Sequence, residues 1–288
     1  MPVISVVVTT RNRYDVLAKT LESLERQVFR DFEVIIADLS EEKMGIPDYG
    51  LGLKVIGITE NNVSQARNIA IAKSSGKYIL IIGDDQICDP HLLERHMNIH
   101  NRHPDENVAV HGLSDWDKSL DITPYMRFLA PDGAQFNYSN IKDPSNCGFF
   151  HFLTCNLSLK RELLLKEPFD EKIPFAYEDV ELGYRMEKNH RLRIIYDKDA
   201  ITLHHHIVSE DDFFRKLELC GVSMVYVYRK HPEFKNIPLL KFKLMIAMPL
   251  LSVLRRIRFK KEIYWRINHE YHYAKGLLRG FSSEKSAN

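Results

Sequence analysis

Residues 78–90 read YILIIGDDQICDP. Five apolar or aromatic residues run into a glycine, and two aspartates follow side by side. Such a run reads as a strand buried on both faces. Adjacent carboxylates repel, so a structural role alone is a poor reason to set Asp84 and Asp85 at its end. They stand either in water at a turn or against something positive.

Working outward, Val3 to Val8 is a second β-branched run. Leu17, Leu21, Leu24 and Val28 follow at helical spacing and predict an amphipathic helix. Phe32 to Ala37 reads as a strand ending at Asp38, and Val55 to Ile58 as another. Ser64 to Ser74 reads as a helix capped by Ser64 and stopped before Gly76. This alternation predicts an α/β fold with a Rossmann-like, mostly parallel central sheet flanked by helices. Ligands of such sheets bind beyond the carboxyl ends of the strands. Thr9 to Arg13, Asp38, Asn61-Asn62 and Asp84-Asp85 all fall on that rim.

The second half is less regular. Val108 to Leu113 reads as a strand, and residues 114 to 148, rich in Asp, Pro, Asn, Ser and Gly, as long loops. Phe149 to Leu159 is β-like, and Lys160 to Leu165 a short helix. Tyr177 to Lys188 reads as a helix opened by Glu178, Asp179 and Glu181. Arg193 to Tyr196 and Ala200 to Leu203 read as two strands, the latter entering His204-His205-His206, and Ser209 to Arg229 as a helix.

An apolar fraction of 44% and a charged fraction of 27% are those of an ordinary globular protein. A net charge of +1 gives no reason to expect a nucleic-acid partner, but the charge is unevenly spread. From Lys235 onward there are twelve Lys or Arg against three Glu, about +9, which leaves residues 1–234 at about −8. Four cysteines without a C-x-x-C pair suggest no disulfide framework. VISVVVTT is too short for a signal-peptide core and has no basic residue before it, so a reducing, cytoplasmic setting is expected. Ile237 to Leu254 is too interrupted by Lys241, Lys243, Pro238 and Pro249 to predict a membrane span.

Paired carboxylates at a strand end suit Mg²⁺ or Mn²⁺, which would remove their repulsion and hold a diphosphate. Arg11, Arg13 and Arg67 supply guanidinium donors matched to phosphate, and Asp38 an acceptor for a base or ribose. Trp116, Tyr125, Phe128, Phe136 and Tyr138 could stack on a sugar ring or fill a satellite core. His96, His100 and His103 share a helix face, yet no Cys or Glu is placed to complete a zinc site. They read as helix-surface residues without a role.

Four segments in order, VVVTTRNRYDVLAKTLESLERQ, FEVIIADLS, NNVSQARNIAIAKSSGKYILIIGDDQICDPHLL and FAYEDVELGYRM, resemble an inverting family 2 glycosyltransferase of the GT-A fold. The similarity spans roughly residues 1–230. It implies sugar transfer from a nucleotide-diphosphate sugar of UDP, dTDP or GDP type to a glycan or lipid-linked acceptor, assisted by Mn²⁺ or Mg²⁺. Residues 1–113 would form the nucleotide-sugar half and 114–234 the acceptor half, with 235–288 a basic helical extension. Thr9, Arg11, Asp38, Arg67 and Asp84 match nucleotide-side positions, and Asp85 the direct metal ligand. His204 would join the metal, with His206 as a second candidate. Asp179, second acid of the E-D pair after Glu178, matches the catalytic base. Phe152 to Asn156 resembles a family strand near the acceptor, which makes Asn156 a candidate contact; Trp116, in the loop-rich segment, is a further candidate. Two departures stand out: Gly83 where many relatives carry a third acid, and Asn61-Asn62-Val63 without the usual glycine.

The rival readings are a sugar-phosphate nucleotidyltransferase and a non-catalytic relative. The first wants a glycine-rich loop where TTRNRYDV stands; the second predicts a lost Asp85 or Asp179. For the tail two readings stay open. Leu239 to Leu254 followed by Arg255, Arg256, Arg258, Lys260 and Lys261 suits a helix lying on an anionic membrane at its inner face. It equally suits a helical extension packed on the domain or on a second subunit.

Overall fold

The computed structural model describes residues 1–47, 49–173, 176–234, 237–257 and 259–282. Phe175, Lys235 and Arg258 lie outside the described residues, as do the side chains of Ile237, Pro238 and Lys241. The chain forms two compact units, one of Met1–Glu171 with Glu178–Ile207, the other of Lys172–Tyr177 with the chain from Val208 onward.

The first unit is built on eight strands: β1 (Ile4–Thr10), β2 (Phe32–Asp38), β3 (Lys54–Gly57), β4 (Tyr78–Gly83), β5 (Gln86–Cys88), β6 (Val108–Trp116), β7 (Asn156–Lys160) and β8 (Arg193–His204). Their order is β3-β2-β1-β4-β7-β6-β8-β5. The first four run parallel, β7 is antiparallel to β4 and β6, β8 is parallel to β6, and β5 is antiparallel at the edge. The helices are α1 (Tyr14–Glu25), α2 (Val63–Lys73), α3 (Leu92–Arg102), α4 (Pro124–Leu129), α5 (Arg161–Lys166) and α6 (Glu178–His190).

Alternation along the strands divides the core. Val6, Val8, Ile36, Leu80 and Ile82 meet Leu17, Leu21 and Leu24 of α1 and Leu92 and Met97 of α3 on one face. Val7, Ile35, Ile79 and Ile81 meet Ala66, Ala70 and Ile71 of α2 on the other. The register sets Thr10 opposite Asp38 and Thr9 opposite Gly83, so the polar strand ends line one rim.

Details of the sequence reading change. α1 stops at Glu25, leaving Val28 exposed. Asn62, not Ser64, caps α2, its Oδ1 accepting from the Gln65 N–H at 3.0 Å. β6 runs on to Trp116, into the segment read as loop, and pairs with one continuous β8 through a bulge at Gly112/Leu113. Of Phe149 to Leu159 only the end is strand; Phe149–His151 is a 3₁₀ turn.

Two further corrections concern polar residues. His96 and His100 are not on the surface: they face β7 and are buried. His96 Nδ1 and His100 Nε2 share the Ser158 hydroxyl at 2.7 and 2.8 Å. Asn156, read as an acceptor contact, is fully buried; its Oδ1 lies 2.9 Å from His96 Nε2, and its Nδ2 donates to the carbonyls of Ala200 and Leu113. It holds β7 to the bulge rather than facing a ligand, because three buried polar groups need it. Burial drives the pKa of His96 down to about 4, His100 to about 2 and His111 to about 3.

The second unit is helical: α7 (Glu210–Lys230), α8 (Ile237–Leu254) and α9 (Lys261–Ser282). α7 and α9 approach closely enough that a Cβ on Gly276 would stand 2.1 Å from the Glu218 carbonyl, and one on Gly221 2.4 Å from that of Tyr273. No helix among the described residues is long and apolar enough to cross a membrane.

The buried histidines predict acid lability. Below pH 6.5 the unfolded chain binds protons that the folded chain refuses, so stability falls as pH drops through 6.5, down to about 4 for His96, about 3 for His111 and about 2 for His100. Each such histidine costs about 1.4 kcal/mol per pH unit in that window. Urea midpoints measured at pH about 7 and about 5 should fall steeply, with a shallower fall in His100→Gln.

Candidate active site

The rim beyond the carboxyl ends of β1, β2 and β4 is where the two aspartates come to rest. The turn after β1 places Asn12 in the left-handed region at φ 55°, a conformation asparagine tolerates. The Asn12 N–H donates to Ser40 Oγ at 2.8 Å and its Oδ1 accepts from the Glu41 N–H at 3.2 Å. So latched, the turn carries Arg13 across both carboxylates. Arg13 donates to Asp84 from Nε at 3.2 Å and from Nη2, and to Asp85 from Nη1 at 3.4 Å. The positive charge that the adjacent aspartates require is Arg13.

Asp84 and Asp85 point different ways. Asp84 is 2% exposed, takes a hydrogen bond from Thr10 Oγ1 at 2.7 Å, and is anchored by Thr20 Oγ1 donating to its carbonyl at 2.7 Å. Burial raises its carboxyl pKa and Asp85 adds to this, more than Arg13 removes. Burial would raise Asp85 too, but His204 and His206 outweigh it and hold it well below the usual range. Asp85 Oδ1 lies 3.6 Å from His204 Nδ1, and Oδ2 2.8 Å from His206 Nδ1. Ligand atoms of Asp85, His204 and His206 all lie within 4.8 Å of one another.

The end of β8 supplies the histidines by alternation. His205 turns to the other side, to Lys19 and Asp117, each at 2.6 Å, while its N–H donates to the Asp85 carbonyl at 2.8 Å. The departure at Gly83 has a steric reason: a Cβ there would stand 2.7 Å from Asp85 Oδ1 and displace it from the histidines. Gln86, which the sequence reading passed over, brings its Nε2 to 2.6 Å from His204 Nδ1 and 3.1 Å from Asp85 Oδ1. Its place directly after the acid pair was the only available signal.

Trp116 is corrected as a stacking platform. It sits opposite His204 in the sheet, 3% exposed, with its indole N–H donating to the Met126 carbonyl at 2.8 Å. Its ring lies 5.5 Å from that of His204, and Phe136 stacks on the same imidazole at 5.6 Å. Tyr125 and Tyr138 are likewise buried. These aromatics wall the histidines, and that is the satellite core the sequence left open.

Asp179 opens α6. Of the three acids there, Glu178 pairs with Arg67 at 2.5 Å and Glu181 with Arg185 at 2.9 Å. Among the described residues Asp179 has no ion pair. Its Oδ2 receives long contacts from the N–H and Oγ1 of Thr154, at 3.4 and 3.5 Å. Burial and the charge of Glu178 push its pKa up to about 6, against the pull of Arg67. Burial mainly pushes the Cys155 thiol up to about 12, and the charges of Asp179 and Asp85 add to it. Arg67 Nε and Glu178 Oε2 are buried without hydrogen-bond partners.

On the nucleotide side, Asp38 is 1% exposed and accepts from the Tyr14 hydroxyl at 2.6 Å and the Ser40 N–H at 2.9 Å. Burial opposes its ionisation, but these hydrogen bonds and Lys43 prevail and lower its pKa. Thr9 is half-buried at the end of β1, and Arg11 is exposed against Glu41 at 3.0 Å. Asn62, in place of the missing glycine, donates from Nδ2 to the Glu171 carbonyl at 2.7 Å.

Comparison with known proteins agrees with this architecture. The family model for glycosyl transferase family 2 matches residues 5–165. An uncharacterized glycosyltransferase of Methanocaldococcus jannaschii is 25% identical over 248 residues, 82% of this chain and 81% of that protein. One of Haemophilus influenzae is 30% identical over 111 residues, a match spanning 38% of either chain. Among solved structures, a mannosyltransferase of Pyrobaculum calidifontis in complex with GDP-Man and Mn²⁺ superposes with a TM-score of 0.57 at 15% identity, over 100% of this chain and 76% of that one. TarS of S. aureus in complex with UDP gives 0.54 at 16%, over 100% and 92%. The mostly parallel sheet with its helices is thus the GT-A fold, and the chain belongs to glycosyl transferase family 2.

Proposed function

We propose that the protein transfers a hexosyl group, with inversion, from a nucleotide-diphosphate sugar to an acceptor hydroxyl. The observation that carries this reading is Asp179, a carboxylate at the start of α6 beside Thr154, without an ion pair among the described residues and with its pKa pushed up by burial to about 6. A base with a pKa near the working pH combines an ionised form with a useful affinity for the proton.

The residues around Asp85 fit a divalent cation. One carboxylate and two imidazoles converge, with His206 Nδ1 2.8 Å from Asp85 Oδ2, a donor set of the kind that holds a borderline divalent ion. Asp85, His204 and His206 would hold the ion, and the imidazoles favour Mn²⁺ over Mg²⁺, which prefers oxygen alone. When bound, such a cation supplies positive charge against the departing diphosphate. Arg13 bridges Asp84 and Asp85 and offsets part of their repulsion, and Gln86 orients His204 and Asp85. Asp38, with Thr9, Arg11 and Asp84 along the rim, lies where a nucleoside would sit.

Asp179 accepts the proton of the acceptor hydroxyl, whose oxygen attacks the anomeric carbon as the diphosphate leaves from the opposite face. One displacement inverts that carbon. Thr154 aims the carboxylate, and Arg67 keeps its pKa from rising further. GDP-Man and Mn²⁺ in the Pyrobaculum enzyme, and UDP or UDP-GlcNAc in TarS, support a donor of this class. The acceptor would be a glycan or lipid-linked sugar in polysaccharide or glycolipid assembly.

Melting the protein with GDP, UDP or dTDP, each with and without Mn²⁺, tests the donor site. One of them should raise the melting temperature by several degrees only with the metal, since ligand at about 100 times its Kd adds about 2.7 kcal/mol. No shift from any of them would remove the reading.

Asp179→Asn should lower turnover by about 10²- to 10⁴-fold while keeping that nucleotide-dependent shift. It should also stabilise the fold. A carboxyl whose pKa is raised by folding costs stability above that pKa, here fully above about 6, and nothing below 3.8. The gain at neutral pH is at most about 3 kcal/mol.

Arg67→Met removes the charge that lowers the Asp179 pKa. The acidic limb of the pH profile of kcat/KM should move upward from about 6, and Arg67→Lys should restore it.

A further inference from the structure

α8 is apolar on two opposite faces, and among the described residues one of them packs within its unit while the other is exposed. Leu240, Leu244, Met248 and Leu251 pack with Val225, Ala274, Leu277 and Phe281 of α7 and α9. The other face presents Leu239, Phe242, Met245, Ile246, Leu250 and Val253, between 49% and 70% exposed. At 3.6 residues per turn these six fall in one arc, with Pro249 among them. A helix apolar all round is ordinarily covered all round. Six large side chains in one exposed stripe mark an interaction face.

Charge decides what covers it. Residues 235–261 hold eight Lys or Arg and no Asp or Glu. Arg256, Lys260 and Lys261 are exposed just past the end of the stripe, with Ile257 46% exposed between them. A second copy docking symmetrically through this stripe would bring two cationic segments together with no acid in either to pair them. An anionic lipid surface accepts both halves, taking the apolar stripe into its acyl boundary and pairing the cations with its headgroups. Among the described residues no helix is long and apolar enough to cross a bilayer, so the contact lies in the plane.

We propose that α8 is an in-plane anchor that seats this unit on an anionic bilayer. The anchor is independent of the sugar-transfer chemistry and is tested without it. Flotation of the full chain with phosphatidylcholine vesicles, with and without phosphatidylglycerol, reads it directly. The chain should float with the phosphatidylglycerol vesicles, far less with phosphatidylcholine alone, and be released by high salt. The triple variant Phe242→Ser, Ile246→Ser, Leu250→Ser should lose binding with an unchanged melting temperature, because the packed face is untouched. Arg256→Ser with Lys260→Ser, which keeps the stripe, should weaken binding to anionic vesicles by about 10- to 30-fold. Three results would overturn the proposal: wild type that stays unbound, a triple-serine variant that floats like wild type, or a solution dimer that the triple variant converts to monomer. The last would assign the stripe to a second copy.

Discussion

The site depends on two neighbouring carboxylates being made to face apart. Asp84 and Asp85 form the turn between β4 and β5, which sends one toward Arg13 and Thr10 and the other toward His204 and His206. Each has its own source of positive charge or hydrogen bonding, and Arg13 touches both. That arrangement offsets part of the cost of burying two carboxylates side by side, while burial and Asp85 still raise the pKa of Asp84. Gly83 completes it, because any side chain there would meet Asp85.

A second polar constraint sits deeper. β7 reverses direction between β4 and β6, and its Asn156 and Ser158 carry a hydrogen-bonded group of histidines in the core. Asn156 also ties the carbonyls of Leu113 and Ala200, on either side of the β6/β8 bulge. Past that bulge, β8 delivers His204 opposite Trp116. The reach of the metal-ligand candidates toward Asp85 therefore rests on buried polar contacts as well as on the apolar core. Burial there holds the imidazoles neutral, which ties the fold to pH in a way its near-neutral composition does not suggest.

The three acids at the start of α6 show how environment separates residues of one type. All are placed where a helix N-terminus favours negative charge. Arg67 and Arg185 claim Glu178 and Glu181, and the pKa of the remaining acid is pushed up to about 6 by burial and then by the charge of Glu178. Carboxylates that differ only in their partners thus separate into structural and chemically available groups.

Periodicity along the chain determined the strands β1 to β4, the helices between them and the rim where their polar ends gather, because alternation and 3.6-residue spacing are local properties. The same local rule separated His205 from His204 and His206. What only the tertiary structure decided was partnership. Asn156, Trp116, His96 and His100 looked like surface or ligand-facing groups, and burial against chain segments far away in sequence made them core. Arg13 was one basic residue among three until the turn at Asn12 laid it over the aspartates. Whether a polar side chain faces solvent or spans the interior depends on what long-range pairing brings beside it, and no local pattern carries that information.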